Sequence, residues 1–481
     1  MSKQNNSGLP DNWATRPLKD ITSKIVDGSH NPPRKQDSGV PMLSARNINN
    51  NQINFDNYRL IAETDFENEH NRTRITPGDV LLTIVGTIGR SAIVPDGIKP
   101  FSLQRSVAAL TFKDTVPKYM MYQFQSPFFQ RHFNKVAKGT AQKGIYLRTL
   151  GQSIARVAPL NEQTRIVAEI EKQFSRLDEA VKNLKCVKAN LKRYKASVLK
   201  AAVEGKLTEE WRKNHPDVEP ADKLLERILS ERRKKWKEAE LAKMKAKGKE
   251  PKDNKWKKKH KEPPQVDMSL MPELPNGWTW INLPQIGELN RGKSKHRPRN
   301  ASVLYGGPYP FVQTGDVRHA TGTINHYTQT YSEEGLKQSR LWPKGTLCIT
   351  IAANIADTAL LGLDACFPDS IVGFIPDAEC IDVKFIEYFI RTAKENLERY
   401  APATAQKNIN LAILSEVAVP LPPEKEQERI INEIEKCLSI AESIELSIDK
   451  NLAHADRLRQ SILKKAFSGQ LISRKNLKEG Q

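Results

Sequence analysis

The sequence predicts an α+β chain in which two mixed α/β globules alternate with two long helices, and three observations predict it. Landmark motifs recur at one spacing, giving an internal repeat with an offset of 264 residues. Two stretches carry apolar residues in alternating steps of four and three, the narrow stripe of a coiled coil. The segments between them hold short strand-like runs broken by Gly, Pro and Asn.

The repeat rests on four landmarks. Glu162, Gln163, Arg165, Ile166, Glu169, Ile170, Glu171 and Lys172 recur as Glu426, Gln427, Arg429, Ile430, Glu433, Ile434, Glu435 and Lys436. Ser197, Leu199, Lys200, Ala202, Gly205 and Leu207 recur at the same spacing as Ser461, Leu463, Lys464, Ala466, Gly469 and Leu471. Thr140, Ala141, Gln142 and Lys143 match Thr404, Ala405, Gln406 and Lys407. Leu9, Pro10 and Trp13 match Leu274, Pro275 and Trp278, one residue further apart. Between these landmarks the halves barely resemble one another. The expected layout is a pseudo-twofold one: a globule over 1–158, a long helix over 159–208, a basic helix or linker over 209–273, a second globule over 274–420, a second long helix over 421–474 and a tail over 475–481.

Each helix is read from its stripe. In the first, Ile166, Ile170, Phe174, Leu177, Val181, Leu184, Leu191 and Val198 are expected to pair, with Val187 and Tyr194 on the same face. In the second the set is Ile430, Ile434, Leu438, Ile444, Ile448, Leu452, Leu458 and Ile462. Pro159 and the Pro422-Pro423 pair precede the starts, and Gly205 and Gly469 stand where a C-terminal cap is wanted. A rod of about 40 residues spans about 60 Å. Two single stripes in one chain most simply bury each other, antiparallel because a globule lies between them, as a coiled coil. In the globules, strands are expected at Asp79–Val85, Ser106–Phe112, Gly345–Ile351 and Ser370–Ile375, followed by helices at Pro117–Phe133 and Val383–Tyr400.

Composition bounds the function. Lys and Arg number 76 against 56 Asp and Glu, a net charge of +20 that favours a polyanionic partner. Residues 232–261 alone hold fifteen basic and four acidic residues, a net +11, which leaves about +9 for the other 451. Mean hydropathy is −0.58, no apolar run is long enough for a membrane span, and the first residues lack the apolar core of a signal peptide. Five scattered cysteines exclude a disulfide framework and make a zinc site improbable, so a reducing cytoplasm is expected.

Three short strings invite an enzymatic reading and fail it. Gly287 to Ser294 satisfies the phosphate-loop pattern literally, but Pro284 interrupts the strand that should precede it and Pro298 the helix that should follow. Asn31-Pro32-Pro33-Arg34 resembles the motif with which DNA methyltransferases hold a flipped base, yet it ends in Arg where an aromatic must stack. Gly86 and Gly89 form a lone turn signal, and His70, His132 and His454 show no metal spacing. No catalytic residue and no metal ligand is expected in this chain. A phosphate-loop enzyme and a structural coiled-coil adaptor for protein partners are the alternatives.

The Glu-Gln-x-Arg-Ile helix starts, the Ser-x-Leu-Lys…Gly-x-Leu helix ends and the two Leu-Pro-x-x-Trp segments resemble the specificity subunits of type I restriction–modification systems, across essentially the whole chain. Phe311 to Val317 is also similar to that family, as is the charged stretch from Trp211 to Trp236, which resembles its subfamily with a long central region. The resemblance implies a non-catalytic chain whose globules are target-recognition domains, each reading one half of a split target in double-stranded DNA at a separation set by the helices. It implies two modification subunits bringing S-adenosylmethionine and adenine-N6 methylation, and restriction subunits bringing ATP, Mg and cleavage, with no membrane partner. Base readout needs Arg, Asn and Gln at base edges, with Lys, Thr and backbone groups on phosphates. Loops offering that mixture carry Ser44, Arg46, Asn47, Gln104, Arg105, Lys293, Lys295, Gln313, Thr314, Asp316 and Arg318. Thr140, Gln142, Lys143, Thr404, Gln406 and Lys407 are shared between the repeats and therefore suit common backbone contacts, since a shared element cannot distinguish two targets.

Overall fold

A computed structural model describes residues 8–139, 142–248, 253–296, 298–352, 355–399 and 410–472. The chain divides into two compact units, Met1–Val187 with Ser447–Gln481, and Lys188–Leu446. Both unit boundaries fall inside the long helices, which run without a break from Leu160–Val203 and Glu424–Ala466, 44 and 43 residues.

In the first unit a four-stranded antiparallel sheet has the order Thr22–Asp27, Val107–Phe112, Val80–Thr83, Ser91–Ile93. Val80, Leu82, Ala108 and Leu110 are fully buried, in a core that includes Tyr119 and Phe124 of the helix Pro117–Gln125. The single helix expected over Pro117–Phe133 is two helices, because Pro127 cannot continue the first; Ser126 caps the second, Pro127–Val136. A three-stranded sheet (Arg59–Ile61, Val40–Leu43, Ser102–Leu103) encloses a second core around Leu43, Ile48 and Leu103.

In the second unit the sheet order is Gly287–Arg291, Ile371–Pro376, Leu347–Thr350, Thr358–Leu361, with Thr323–Ile324 added in parallel at the edge. The first four strands repeat the order of the first unit. The likeness extends to a turn: Thr83 N donates to Arg90 O (2.9 Å) and Arg90 N to Thr83 Oγ1 (2.9 Å), while Thr350 N donates to Asp357 O (3.0 Å) and Asp357 N to Thr350 Oγ1 (3.1 Å). The globules therefore share a framework that their sequences hide. The phosphate-loop-like string lies along the strand Gly287–Arg291, whose backbone groups are taken up in the ladder with Ile371–Pro376, so it cradles no phosphate.

The repeated motifs are the junctions between globule and helix. Trp13 Nε1 donates to Glu162 Oε1 at 3.0 Å, and Trp278 Nε1 to Glu426 Oε2 at 2.9 Å. The next residue ties down the globule: Gln163 Oε1 accepts from Val116 N (2.8 Å) and Gln427 Oε1 from Asp382 N (2.9 Å). Further along the helix, Lys118 pairs with Glu171 (2.7 Å) and Lys384 with Glu435 (2.6 Å). Both helices end in the same hydrogen-bonded cap. Gly205 and Gly469 take φ of +69° and +72°, and Lys206 N donates to Ala201 O (2.8 Å) as Gln470 N does to Lys465 O (2.9 Å). A Cβ at Gly469 would fall 2.2 Å from Pro10, and one at Gly205 2.6 Å from Pro275. Each helix end thus seats against the Leu-Pro-x-x-Trp segment of the other repeat.

Within the first unit Ile166, Ile170 and Phe174 share a core with Ile462, Leu463, Ala466 and Phe467; within the second, Val198, Leu199 and Ala202 share one with Ile430, Ile431 and Ile434. Burial along the helices corrects four expected positions. Val187 and Tyr194 are each 45% exposed, and Ile444 and Leu458 are 41% and 42% exposed. Beyond Phe174 and Leu438 the buried and half-buried positions of each helix alternate in steps of three and four, and that row passes one residue further on, through Lys188, Lys195, Glu445 and Arg459, all half-buried. Their aliphatic stems cover the seam while the heads pair at its edge, Lys195 with Glu445 (2.7 Å) and Arg459 with Asp178. Arg459 also lies over the Phe174 ring at 4.4 Å.

The two junction carboxylates differ in what depends on them. Glu426, fully buried, also accepts from Thr208 Oγ1 (2.7 Å) and Arg212 Nη2 (2.8 Å), whereas among the described residues Glu162 accepts from Trp13 and Asn12 alone. Glu426→Ala leaves a mostly buried guanidinium without its carboxylate and is expected to cost about 3–5 kcal/mol. Glu162→Ala leaves neutral donors unsatisfied, at about 1–3 kcal/mol. Urea unfolding of the two variants checks the order, and equal losses would contradict it.

Candidate nucleic-acid interface

In the first unit, backbone hydrogen bonds gather three of the expected loops into one rim. Ser44 and Asn47 close a short turn over Ala45–Asn47: Ser44 N donates to Asn47 Oδ1 at 2.9 Å, and Asn47 Nδ2 donates to Asn54 O (3.2 Å) and Asp56 O (2.8 Å). Asn47 is fully buried, so its amide holds the loop and is not available to a base edge, while Arg46 at the tip is exposed. This turn is stitched to the next loop by Gln104 N to Leu43 O (2.8 Å) and Ala45 N to Ser106 Oγ (3.0 Å), which leaves Arg105 exposed and Gln104 half-buried beside it. Ile84 N donates to Ser106 O (2.9 Å) and Gly86 N to Lys143 O (3.1 Å), adding exposed Gln142 and Lys143 to the same edge. Thr140 lies outside the described residues.

A hairpin that the sequence reading did not single out adjoins this rim. Ile48–Asn49 pairs with Gln52–Ile53 through Asn50 and Asn51, at φ of +51° and +62°, and Arg90 donates to Asn49. Two consecutive Asn residues tolerate the left-handed backbone of so tight a turn, and they present amides suited to adenine. The cluster Asn47, Asn49, Asn50 and Asn51 was the available signal.

In the second unit the same loop-closing device recurs. Gln313 N donates to Asp316 Oδ2 at 2.8 Å ahead of the helix Thr314–His319, and Thr328 Oγ1 reaches the same oxygen at 3.4 Å. Asp316 therefore caps the helix. Gln313 is braced by Gln329 (2.6 Å), Thr314 is half-buried and Arg318 is exposed. Lys293 and Lys295, both exposed, stand on another loop, held by Ser339 Oγ to Lys293 O (3.0 Å) and Lys295 N to Gln338 Oε1 (2.6 Å). Thr404, Gln406 and Lys407 fall outside the described residues. Among the described residues no group of three or more His, Cys, Asp or Glu could hold a metal, and no helix is long and apolar enough to cross a membrane.

Each unit also has a wide cleft between its globule and the long helices, about 1160 Å³ in the first and about 1440 Å³ in the second. Equivalent positions wall both: Glu171 and Glu435, Ser175 and Ser439, Asp178 and Glu442, Arg459 and Lys195. Acidic and basic side chains balance in each. Arg90, Lys185 and Arg459 face Glu171, Asp178 and Asp456 in the first; Lys195, Lys200, Arg318, Arg391 and Lys394 face Glu204, Asp357, Glu387, Glu435 and Glu442 in the second. Balanced walls give no net pull on phosphate, which leaves the loop rims as the candidate interface.

One group in the second cleft titrates near neutrality. Glu387, 4% exposed, stands on the helix Val383–Arg399, and burial pushes its carboxyl up to about 7 against the opposing pull of Arg391 and Lys384.

Comparison with known proteins follows the repeat. A family described as type I restriction modification DNA specificity domain matches residues 10–188 and 275–450, so each match begins in a Leu-Pro-x-x-Trp segment. The chain is 28% identical over 233 residues to the type I restriction enzyme EcoBI specificity subunit of Escherichia coli, covering 47% of this chain and 49% of that protein, about half its length. It is 22% identical over 487 residues to the EcoKI specificity subunit of Escherichia coli K12, covering 97% and 90%. In fold it is similar to the HsdS subunit from Thermoanaerobacter tengcongensis (TM-score 0.56, 18% identity, 98% and 100% covered). It is likewise similar to a chain from a structure of type I restriction–modification complex assembly (TM-score 0.65, 18% identity, 96% and 99% covered).

Two outcomes are expected. Asn47→Ala removes a buried amide that makes three loop contacts and should lower stability by about 1–3 kcal/mol, read as a depressed melting temperature. An unchanged melting temperature would return Asn47 to the set of base-reading candidates. For Glu387 the folded value lies above the ordinary 4.5, so the folded state holds the extra proton and loses stability as pH rises from about 4.5 to about 7. Glu387→Gln removes that loss, and its melting temperature relative to the parent should climb between pH 5 and pH 8; a flat difference would refute this.

Proposed function

Because the chain belongs to the type I restriction–modification DNA specificity family, we propose that it is the non-catalytic subunit that reads a double-stranded DNA target in two parts, one per globule. The observation that carries this reading is a contrast within the repeat: the strand order and the Trp–Glu and Gln junctions are the same, while the rims differ. A shared frame with unlike rims suits one task performed on two sequences.

The rim chemistry supports the division of labour. Exposed Arg46 and Arg105 read guanine edges and Gln104 an adenine, while Gln142 and Lys143 hold the adjoining backbone. In the second globule Gln313 and Arg318 read bases, Thr314, Lys293 and Lys295 hold phosphates, and Asp316 acts by fixing Gln313. The Thr404, Gln406 and Lys407 copy takes the backbone role of Thr140, Gln142 and Lys143.

The long helices pair as an antiparallel coiled coil and act as a ruler between the half-sites. Two modification subunits bring S-adenosylmethionine and methylate adenine; restriction subunits bring ATP, Mg and cleavage. This chain's own part is to bind, orient and space.

Methylation mapping in a host carrying the assembled system tests the reading. Exchanging residues 9–158 for another globule should alter one half-site and leave the other. Removing one heptad from the middle of each long helix shortens it by about 10 Å, close to three base pairs, and should shrink the spacer while both half-sites stay. Arg105→Ala should relax one position of the first half-site at a cost of about 1–3 kcal/mol. An unchanged spacer in the heptad deletion rejects the ruler, and two altered half-sites after the exchange reject the division of labour.

A further inference from the structure

The described residues of the lysine-rich segment that follows the first long helix are packed onto the second unit and onto one another. Its helix, Ala221–Ala246, is anchored by Ala221, Leu224 and Ile228, which lie in the core of the second unit. Arg232 fixes the middle of the helix, donating to Pro284 O and pairing with Asp377 at 3.4 Å. Past that anchor the helix projects Lys234, Lys237, Lys245 and Lys247, all exposed. The chain then folds back. Trp256, 8% exposed, stacks on Trp236 (6.0 Å between rings, 21° apart), His260 meets Trp236 at 5.1 Å, and Arg233 pairs with Glu262 at 2.5 Å. These interactions hold the turn Lys255–Lys259 against the helix and bring a second lysine run close to the first.

Four of these lysines are not neutralised internally. Lys234, Lys237, Lys258 and Lys259 have no acidic partner among the described residues, whereas the neighbouring Arg232 and Arg233 do. We propose that this surface grips the phosphate backbone of duplex DNA next to the half-site read by the second globule, without regard to sequence. The proposal rests on the DNA-reading function above. Lysine heads are mobile point charges that hold phosphate and carry little base information. The two indoles stack on each other, so no free aromatic platform is offered to single-stranded bases. Protein–protein interfaces are depleted in lysine at their cores, which disfavours a protein occupant.

The test uses the full chain assembled with its modification subunits and a variant carrying Lys234→Gln, Lys237→Gln, Lys258→Gln and Lys259→Gln. Binding is titrated over a range of salt on two labelled duplexes of equal length, one with the mapped target and one of random sequence. Every lysine–phosphate pairing removed lowers the slope of log affinity against log salt by about 0.9, so a drop of about two to four is expected, equal on both duplexes. An unchanged slope overturns the proposal, and so does loss of subunit assembly at unchanged slope, which would assign the surface to a protein. A parent complex that binds target and random duplex alike fails the sequence-reading function instead; the lysine surface stands or falls on the slope alone.

Discussion

At the start of each long helix a buried carboxylate receives the indole N–H of the tryptophan that leads into a globule, and the glutamine beside it receives a backbone N–H from that same globule. Charge-assisted hydrogen bonds of this kind are short and directional, and in a site closed to water they are costly to bend. A globule held at two points on the first turn of a helix has little freedom to swing. Any function that depends on where the rim loops stand relative to the helix depends first on this bracket, which explains why the bracketing residues recur while the rim residues do not.

The helices meet a second constraint. Along each long helix the buried and half-buried positions keep a repeat of about 3.5, even where that brings Lys195, Glu445 and Arg459 into the row and turns Tyr194, Ile444 and Leu458 outward. Charged residues with long apolar stems fit such a row, because the stem is covered while the head stays at the surface.

Much of this was legible in the sequence where the signal was local. Pro159, Gly205 and Gly469 bounded the helices, and the strands at Val80–Thr83, Val107–Phe112, Leu347–Thr350 and Ile371–Pro376 followed from short β-branched and leucine runs. The common sheet order escaped notice because the shared Thr-Ile-x-x-x-Ile turn recurs at 267 residues and not 264, a loop-length difference that a fixed offset hides. Apolarity alone misplaced the seam by one residue at four positions, since it cannot see a lysine stem as buried surface. Asn47 read as a base contact because an Asn in a polar loop looks the same whether it faces a ligand or its own backbone.

The first compact unit is assembled from two segments far apart in sequence: Phe467 packs on Tyr119 at 5.1 Å and Gly469 lies against Pro10, whereas the second unit is continuous from Lys188 to Leu446. During synthesis the ribosome delivers the second unit whole while the first still lacks the helical segment that completes its core. The nascent N-terminal globule must therefore wait with the core around Ile166, Ile170 and Phe174 incomplete until Ile462 to Phe467 have been translated. Order of completion thus runs opposite to order of sequence, and a message interrupted just past Leu446 yields a finished second unit beside an unfinished first.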